Sequence, residues 1–159
     1  MPAYFLDTSA LVKLYVREPG SDRMIGLAKA DDTDALAVLS LTPVEFRSAL
    51  RRRERVGDVA SADVSRILER FSLHFETRFE RVPVNEPLVE AALGLIDRHA
   101  LRAYDALQLA GCLVWKSSRA LGEVSFACAD DALVTAANAE GLPSLNPSGQ
   151  KGRKEKPVN

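Results

Sequence analysis

Short apolar runs that alternate with helical patterns constrain the fold of this chain more than any other feature of its sequence. The runs predicted to be strands are residues 4–6, 36–41, 79–84 and 124–129, with 142–145 as a last short candidate. Because strands that alternate with helices form parallel sheets covered on both faces, this pattern predicts an α/β protein. We expect a three-layer α/β/α fold with a short, mostly parallel central sheet.

A clear helix start lies at residues 42–45, directly after the second predicted strand. Thr42 is predicted to be a hydroxyl N-cap, and Pro43 occupies the first helical position, where its missing N–H costs nothing. Glu45 stands three residues after Thr42 and would complete a capping box. The helix is expected to end at Gly57.

The other predicted helices follow from caps and apolar spacing. They are expected at residues 8–15 behind a Thr8-Ser9 cap, at 21–30, around the set Val64, Ile67, Leu68, Phe71 and Phe75, at 103–115, and from Ala132 to Gly141. Asn85 is predicted to cap a further helix that buries Leu88, Ala92, Leu93 and Ile96. The helix at 103–115 is apolar on nearly every side, which predicts a central position.

Length and composition indicate one globular domain, since 159 residues with 47% apolar side chains suffice for a single core. We expect this domain to occupy residues 1–147. Residues 148–159 are polar, basic and without periodicity, so a disordered C-terminal tail is predicted there. No apolar stretch reaches the roughly 20 residues that span a bilayer, and no signal peptide is evident. A cytoplasmic protein without membrane contact is therefore expected.

Acidic residues are predicted to gather at one edge of the sheet. Asp7 and Asp130 each follow a strand, and Glu45 follows another strand closely. Asp105 lies in the first turn of the predicted central helix, where an uncompensated acid is costly. Each has a structural explanation on its own, as a helix cap or as a first-turn acid favoured by the helix dipole. Together they indicate a site, because ligands of parallel sheets bind outside the C-terminal strand ends.

The histidine and cysteine content limits which metal such a site could hold. The chain has two His and two Cys, too few for a zinc site or a disulfide framework. Cys112 and Cys128 lie in apolar surroundings and are predicted to be core residues. Carboxylates favour a hard cation, and Mg²⁺ or Mn²⁺ is expected. Such ions activate water and stabilise charge in phosphodiester hydrolysis.

Five segments carry a resemblance to a known family. They are FLDTSALVKLY at 5–15, TPVEFRSAL at 42–50, LRAYDALQLA at 101–110, FACAD at 126–130 and AANAEGL at 136–142. In order and context they resemble the PIN-domain nucleases, and most closely the VapC-type toxins of toxin–antitoxin pairs. The resemblance covers residues 3 to about 147 and implies a PIN-like fold.

The resemblance also implies roles for individual residues. Asp7, Glu45, Asp105 and Asp130 correspond to the acidic quartet that binds one or two divalent ions in the catalytic centre. Ser9 corresponds to the hydroxyl residue that supports this site. The resemblance further implies a metal-dependent endoribonuclease acting on RNA, a cognate antitoxin of the VapBC type, and a homodimer. One departure is Cys128, which stands where the family often has Thr or Ser.

Several arginines are candidates for contact with RNA. Arg102, three residues before Asp105, could reach a substrate phosphate or pair with a carboxylate. Arg51, Arg52 and Arg55 continue the Glu45 helix. That basic run is predicted to be either a solvated face or a phosphate track that adds salt-dependent affinity.

Other function classes fit the same residues less well. A Rossmann oxidoreductase is excluded because no Gly-x-Gly-x-x-Gly follows the first strand. A haloacid-dehalogenase-type phosphatase would need an acid where Ser9 stands, and a receiver domain would need a Lys after its last strand. The remaining alternative is a metal-incompetent PIN-like module that binds RNA or protein without cleavage.

Overall fold

The computed structural model describes residues 2–29, 35–118 and 123–149. The strands within these ranges are β1 Ala3–Leu6, β2 Ala35–Leu39, β3 Glu80–Val82, β4 Val124–Ala127 and β5 Ser144–Leu145. The helices are α1 Thr8–Leu11, α2 Ser21–Lys29, α3 Thr42–Arg55, α4 Ser61–Thr77, α5 Glu86–Arg98, α6 Ala103–Ser118 and α7 Asp131–Ala139, with a 3-10 helix at Val12–Leu14. The predicted tail lies, from residue 150 onward, outside the described residues.

The strands form one sheet in the order β3-β2-β1-β4-β5, and all its pairings are parallel. The chain builds outward from β1 to one side through β2 and β3, and then returns to the other side of β1 with β4. The C-terminal end of β1 is therefore a topological switch point, where α/β proteins place their ligands. Leu6 pairs with Ala127, so Asp7 and Cys128 emerge side by side.

Helices cover both faces of the sheet, which confirms the predicted three-layer α/β/α fold. Successive side chains of a strand point to opposite faces. Phe5 accordingly packs in a core with α5, α6 and α7, whereas its neighbour Leu6 packs in a second core with α1 to α4. No helix in the described ranges combines the length and the apolar character needed to cross a membrane.

The predicted central helix α6 lies very close to the sheet. A Cβ atom added at Gly111 would stand 2.8 Å from Leu39 Cδ1 and 2.9 Å from Phe5 Cζ, so only glycine fits there without a shift. This contact holds α6 against β1 and β2. It also fixes the position of the first turns of α6, which carry Asp105 and Gln108.

The capping box predicted at the start of α3 is wrong. The N-cap position is Leu41, and no side chain caps the helix. The Thr42 hydroxyl is buried without a hydrogen-bond partner in the described structure. Glu45 does not reach back to the helix start; its carboxylate accepts a hydrogen bond from Thr8 instead.

Two further predictions need correction. Leu93 and Ile96 on α5 are 58% and 39% exposed, and the buried residues are Leu88, Ala92 and Leu95. The buried stripe is narrower than predicted because α5 packs mainly against α6.

At α1, Asp7 rather than Thr8 or Ser9 is the N-cap. The predicted Asn85 cap is confirmed, since its side chain accepts from Leu88 N at 3.2 Å.

Candidate active site

A cleft of about 780 Å³ opens at the C-terminal edge of the sheet, next to the end of β1. Asp7, Glu45 and Asp105 all line it, so three of the four predicted acids share one cavity. They come from the end of β1, the first turn of α3 and the first turn of α6. Asp130 does not line the cleft, although its neighbour Ala129 does.

Asp7 is the most deeply buried of these acids, with 6% of its surface exposed. Its Oδ2 atom accepts from Ser9 N at 3.0 Å and from Ser9 Oγ at 2.5 Å. Burial raises the pKa of Asp7 to about 6, the Ser9 hydrogen bonds partly oppose that rise, and the negative charges of Glu45 and Asp105 add to it. The ionised form of Asp7 is thus disfavoured, and a bound cation would stabilise it.

Ser9 connects the two strand ends that meet at the site. Its hydroxyl donates to Asp7 and accepts from Ala129 N at 2.9 Å. Because Ala129 lies in the segment after β4, this pair of hydrogen bonds ties that segment to the carboxylate after β1. The geometry suits the supporting role expected of Ser9.

Glu45 sits in a network of side chains from three helices. Its Oε2 atom accepts from Thr8 Oγ1 at 2.7 Å and from Gln108 Nε2 at 2.7 Å. Gln108 Nε2 also lies 3.2 Å from Thr8 Oγ1. Neither partner was predicted from the sequence. The available signal was that Gln108 is the one polar residue in the apolar stretch between Ala106 and Trp115.

Asp105 contacts the predicted arginine. Arg102 Nε lies 3.2 Å from Asp105 Oδ2, so the structure has Arg102 paired with a carboxylate. The Arg102 side chain is 85% exposed, and an exposed pair of this kind contributes little to stability. The guanidinium can therefore leave Asp105 for a phosphate at small cost.

Asp130 caps the last helix. Its Oδ1 atom accepts from Leu133 N at 2.9 Å and caps α7. Its Oδ2 atom has no hydrogen-bond partner among the residues described. The predicted alternative for Asp130, a helix cap, therefore holds for one of its two oxygens.

Cys128 lies fully buried between the acids that follow β1 and β4. Its sulfur accepts from Asp130 N at 3.3 Å and lies 3.6 Å from Asp7 Oδ2. Burial raises the pKa of the thiol, and the Asp7 carboxylate raises it further. Cys128 is therefore a neutral thiol, a weaker donor to Asp7 than a hydroxyl would be.

Basic residues also line the cleft. Lys13 Nζ pairs with Glu18 at 2.7 Å, and Arg53 pairs with the other oxygen of the same carboxylate. Burial alone would raise the pKa of Glu18, but the hydrogen bonds from Lys13 and Arg53 hold it below its ordinary value. Arg52 lines the same cleft without an ion pair to any described residue.

The other two arginines of the predicted phosphate track lie outside the acidic cleft. Arg51 and Arg55 line a neighbouring groove of about 430 Å³ together with Arg47. Arg51 is paired with Glu54 at 2.7 Å. Of the arginines predicted on α3, the structure thus brings Arg52 into the cavity that holds the acids, and Arg102 also lines that cavity.

The donor set of the cleft fits a hard divalent cation. The acids there offer oxygen ligands alone, which Mg²⁺ prefers. Within residues 2–29, 35–118 and 123–149, no three His, Cys, Asp or Glu side chains already converge on one ion position. Mg²⁺ needs no such cage, because it keeps several waters and takes only one or two carboxylates. The negative charges of Glu45 and Asp105 near Asp7 also favour a bound cation.

Comparison with known proteins gives the family of this fold. The sequence model of the PIN domain matches residues 4–120. Protein PAE2754 from Pyrobaculum aerophilum superposes with a TM-score of 0.60 and 25% identity, over 91% of this chain and 92% of its own. No curated protein matches the sequence significantly.

Two solved toxin–antitoxin assemblies have the same fold. VapBC2 from Rickettsia felis, bound to a DNA fragment from its promoter, has a TM-score of 0.60 and 12% identity, over 90% of this chain and 97% of its own. A toxin–antitoxin complex from Klebsiella pneumoniae has a TM-score of 0.61 and 14% identity, over 91% and 97%. At these identities, the likeness establishes the fold.

Proposed function

This chain belongs to the PIN-domain family, and we propose that it is a divalent-metal-dependent endoribonuclease. PIN domains are generally nucleases. The observation that carries the proposal is the convergence of Asp7, Glu45 and Asp105 on one cleft at the switch point of the sheet. Three acids from three separate elements would repel one another there without a counter-ion.

Asp7, Glu45 and Asp105 are the residues that would hold Mg²⁺ or Mn²⁺, with Asp130 contributing through its free Oδ2 atom. A divalent ion bound there lowers the pKa of a water and stabilises charge on the phosphate oxygens during hydrolysis. This chain's own residues keep the carboxylates in place. Ser9 fixes the orientation of Asp7 by donating to its Oδ2 atom, and the burial of Asp7 keeps bulk water from one side of the site.

The basic residues that line the cleft provide the contacts that a polyanionic substrate requires. Arg52 lines the same cavity as the acids and has no ion pair in the described structure, so its guanidinium is available for a phosphate. Arg102 is exposed and held only by a weak surface pair. In this proposal RNA lies along the cleft, with one phosphodiester at the acids and a flanking phosphate near Arg52.

We further propose that the chain is the toxin of a VapBC-type toxin–antitoxin system. The support is the resemblance in the motifs around Asp7 and Asp105, together with structural neighbours that are themselves toxin–antitoxin assemblies. The proposal includes a cognate antitoxin that covers the acidic cleft. It also includes a homodimer.

The test is cleavage of RNA by the purified chain with Mg²⁺ or Mn²⁺, with excess EDTA, and with single-stranded DNA in place of RNA. We expect cutting of RNA that requires the metal and is lost in EDTA. Cutting that persists in EDTA would overturn the metal mechanism. RNA binding without cleavage in any metal would favour the metal-incompetent binding module instead.

A further inference from the structure

Gln108 is an unusual residue for its position. It is 1% exposed and lies in α6 among Ala106, Leu109 and Ala110, which are fully buried. A buried primary amide is costly unless it is hydrogen-bonded, and its Oε1 atom has no partner in the described structure. An apolar side chain would therefore suit the core better than this amide does. The hydrogen bonds made by the Nε2 atom must therefore account for an amide at this position.

Those contacts lead to the acid of α3. Gln108 Nε2 donates to Glu45 Oε2 at 2.7 Å, and Thr8 Oγ1 donates to the same oxygen at 2.7 Å. Glu45 Oε1 has no hydrogen-bond partner among the described residues. The two donors thus occupy one oxygen of the carboxylate and leave the other available at the cleft that Glu45 lines.

We propose that Gln108 is a positioning residue that, with Thr8, fixes the Glu45 carboxylate so that its Oε1 atom is presented to a bound divalent ion. This inference rests on the proposed function of the cleft. Glu45 has a flexible side chain, and the two hydrogen bonds restrict its freedom before any ion binds. Gln108 itself cannot move far, because α6 is pressed against the sheet at Gly111, one turn away.

The position of Gln108 along α6 supports the same role. It follows Asp105 by three residues, so the two side chains lie on one face of the helix. Asp105 lines the cleft, and Gln108 stands behind it in the core. One helix face therefore supplies an acid directly to the site and an amide that orients a second acid from α3.

The experiment measures Mn²⁺ binding by calorimetry in the absence of RNA, with melting temperatures recorded for each variant. Gln108→Met removes the amide donor while keeping a similar volume. We expect it to weaken Mn²⁺ binding about 10- to 100-fold, as the loss of a residue that orients a metal ligand does. Cys112→Ala is the matched control, because it disturbs the buried core of α6 one turn away from Gln108. It should lower the melting temperature and leave Mn²⁺ affinity unchanged.

A double-mutant cycle with Glu45→Gln tests whether Gln108 acts through Glu45. In the Glu45→Gln background, Gln108→Met should cause no further loss of Mn²⁺ affinity. Equal affinity of wild type and Gln108→Met would overturn the inference, as would full additivity in the cycle. If wild type itself binds no Mn²⁺, the proposed function fails first, which distinguishes the two failures.

A second pair of variants gives the same answer if Gln108→Met does not fold. Thr8→Val removes the other donor to Glu45 Oε2, whereas Thr8→Ser retains it. Mn²⁺ binding that weakens in Thr8→Val and recovers in Thr8→Ser supports the positioning network. Equal binding by both variants contradicts it.

Discussion

The backbone amide of Ala129 donates to the hydroxyl of Ser9 at 2.9 Å, across 120 positions of sequence. The same hydroxyl donates to Asp7 Oδ2. One small side chain therefore links the segment after β4 to the acid after β1. The consequences for the site can be measured.

Replacing Ser9 should disturb Asp7 more than the fold. Ser9→Ala removes a hydrogen bond that lowers the pKa of Asp7, so this pKa should rise further above its ordinary value. Mn²⁺ binding and RNA cleavage should each fall about tenfold or more. Titration of the Asp7 carboxyl carbon by NMR measures the pKa, and Ser9→Thr is the control that keeps the hydroxyl. An unchanged pKa in Ser9→Ala would contradict the assignment.

The acids of the cleft should be required for cleavage and not for folding. Asp7→Asn and Asp105→Asn should each abolish metal-dependent cutting of RNA while circular dichroism spectra stay those of wild type. Asp63→Asn, which alters an exposed acid paired with Arg66 on α4, is the control and should retain activity. Full activity in both cleft variants would show that this cleft is not the active site.

Stability of the metal-free protein should depend on pH through Asp7. Its pKa is raised from 3.8 to about 6, so the ionised form destabilises the fold by roughly 3 kcal/mol at pH 7.5. That penalty is present in full above pH 6 and fades as pH falls through the raised pKa. Asp7→Asn should therefore melt higher than wild type at pH 7.5 in EDTA.

Comparing wild type with Asp7→Asn separates the pH dependence caused by Asp7 from that caused by His74. Burial lowers the pKa of His74, so its contribution to stability falls as pH drops below 6.5, in wild type and mutant alike. The melting advantage of Asp7→Asn should accordingly shrink between pH 7.5 and pH 5. Adding Mg²⁺ at about 100 times its dissociation constant should stabilise wild type by about 2.7 kcal/mol and the mutant by much less. A mutant that melts lower than wild type at pH 7.5 would contradict the raised pKa of Asp7.

Among the candidate arginines Arg51, Arg52 and Arg55 of α3, Arg52 should matter most for RNA. Arg52→Ala should weaken binding across RNA sequences and reduce the slope of log K against log salt by about 0.7, the value for one phosphate contact on a single strand. Arg51→Ala should change the slope less, because Arg51 is already paired with Glu54 outside the acid cleft. Arg66→Ala on α4 is the control. Equal slopes for all three variants would indicate that the basic run of α3 is a solvated face.

Asp130 should show two separable effects. Asp130→Ala removes the cap of α7 and should cost about 1 kcal/mol of stability. Asp130→Asn keeps a capping oxygen and removes the charge, so it should fold normally and bind Mn²⁺ more weakly than wild type. Its loss should be smaller than that of Asp7→Asn, because one Asp130 oxygen is committed to Leu133 N. Wild-type Mn²⁺ affinity in Asp130→Asn would limit Asp130 to capping.

Features that depend on neighbouring residues in the chain were predictable. The alternation of apolar runs and helical patterns determined the three-layer α/β/α fold. The positions of Asp7 and Asp130 after strands followed from where those runs end. Asn85 caps α5 as predicted, because a cap needs only a backbone N–H three residues away.

Features that depend on distant partners were decided by the tertiary structure. Thr42 and Glu45 have the spacing of a capping box, yet Glu45 binds Thr8 and Gln108, which lie 37 and 63 positions away. Leu93 has the spacing of a core residue, yet it stays exposed because α5 turns a narrower face to α6. Local patterns state which contacts a side chain can make. Packing selects among them, because a carboxylate takes whichever donors the folded chain brings within hydrogen-bond distance.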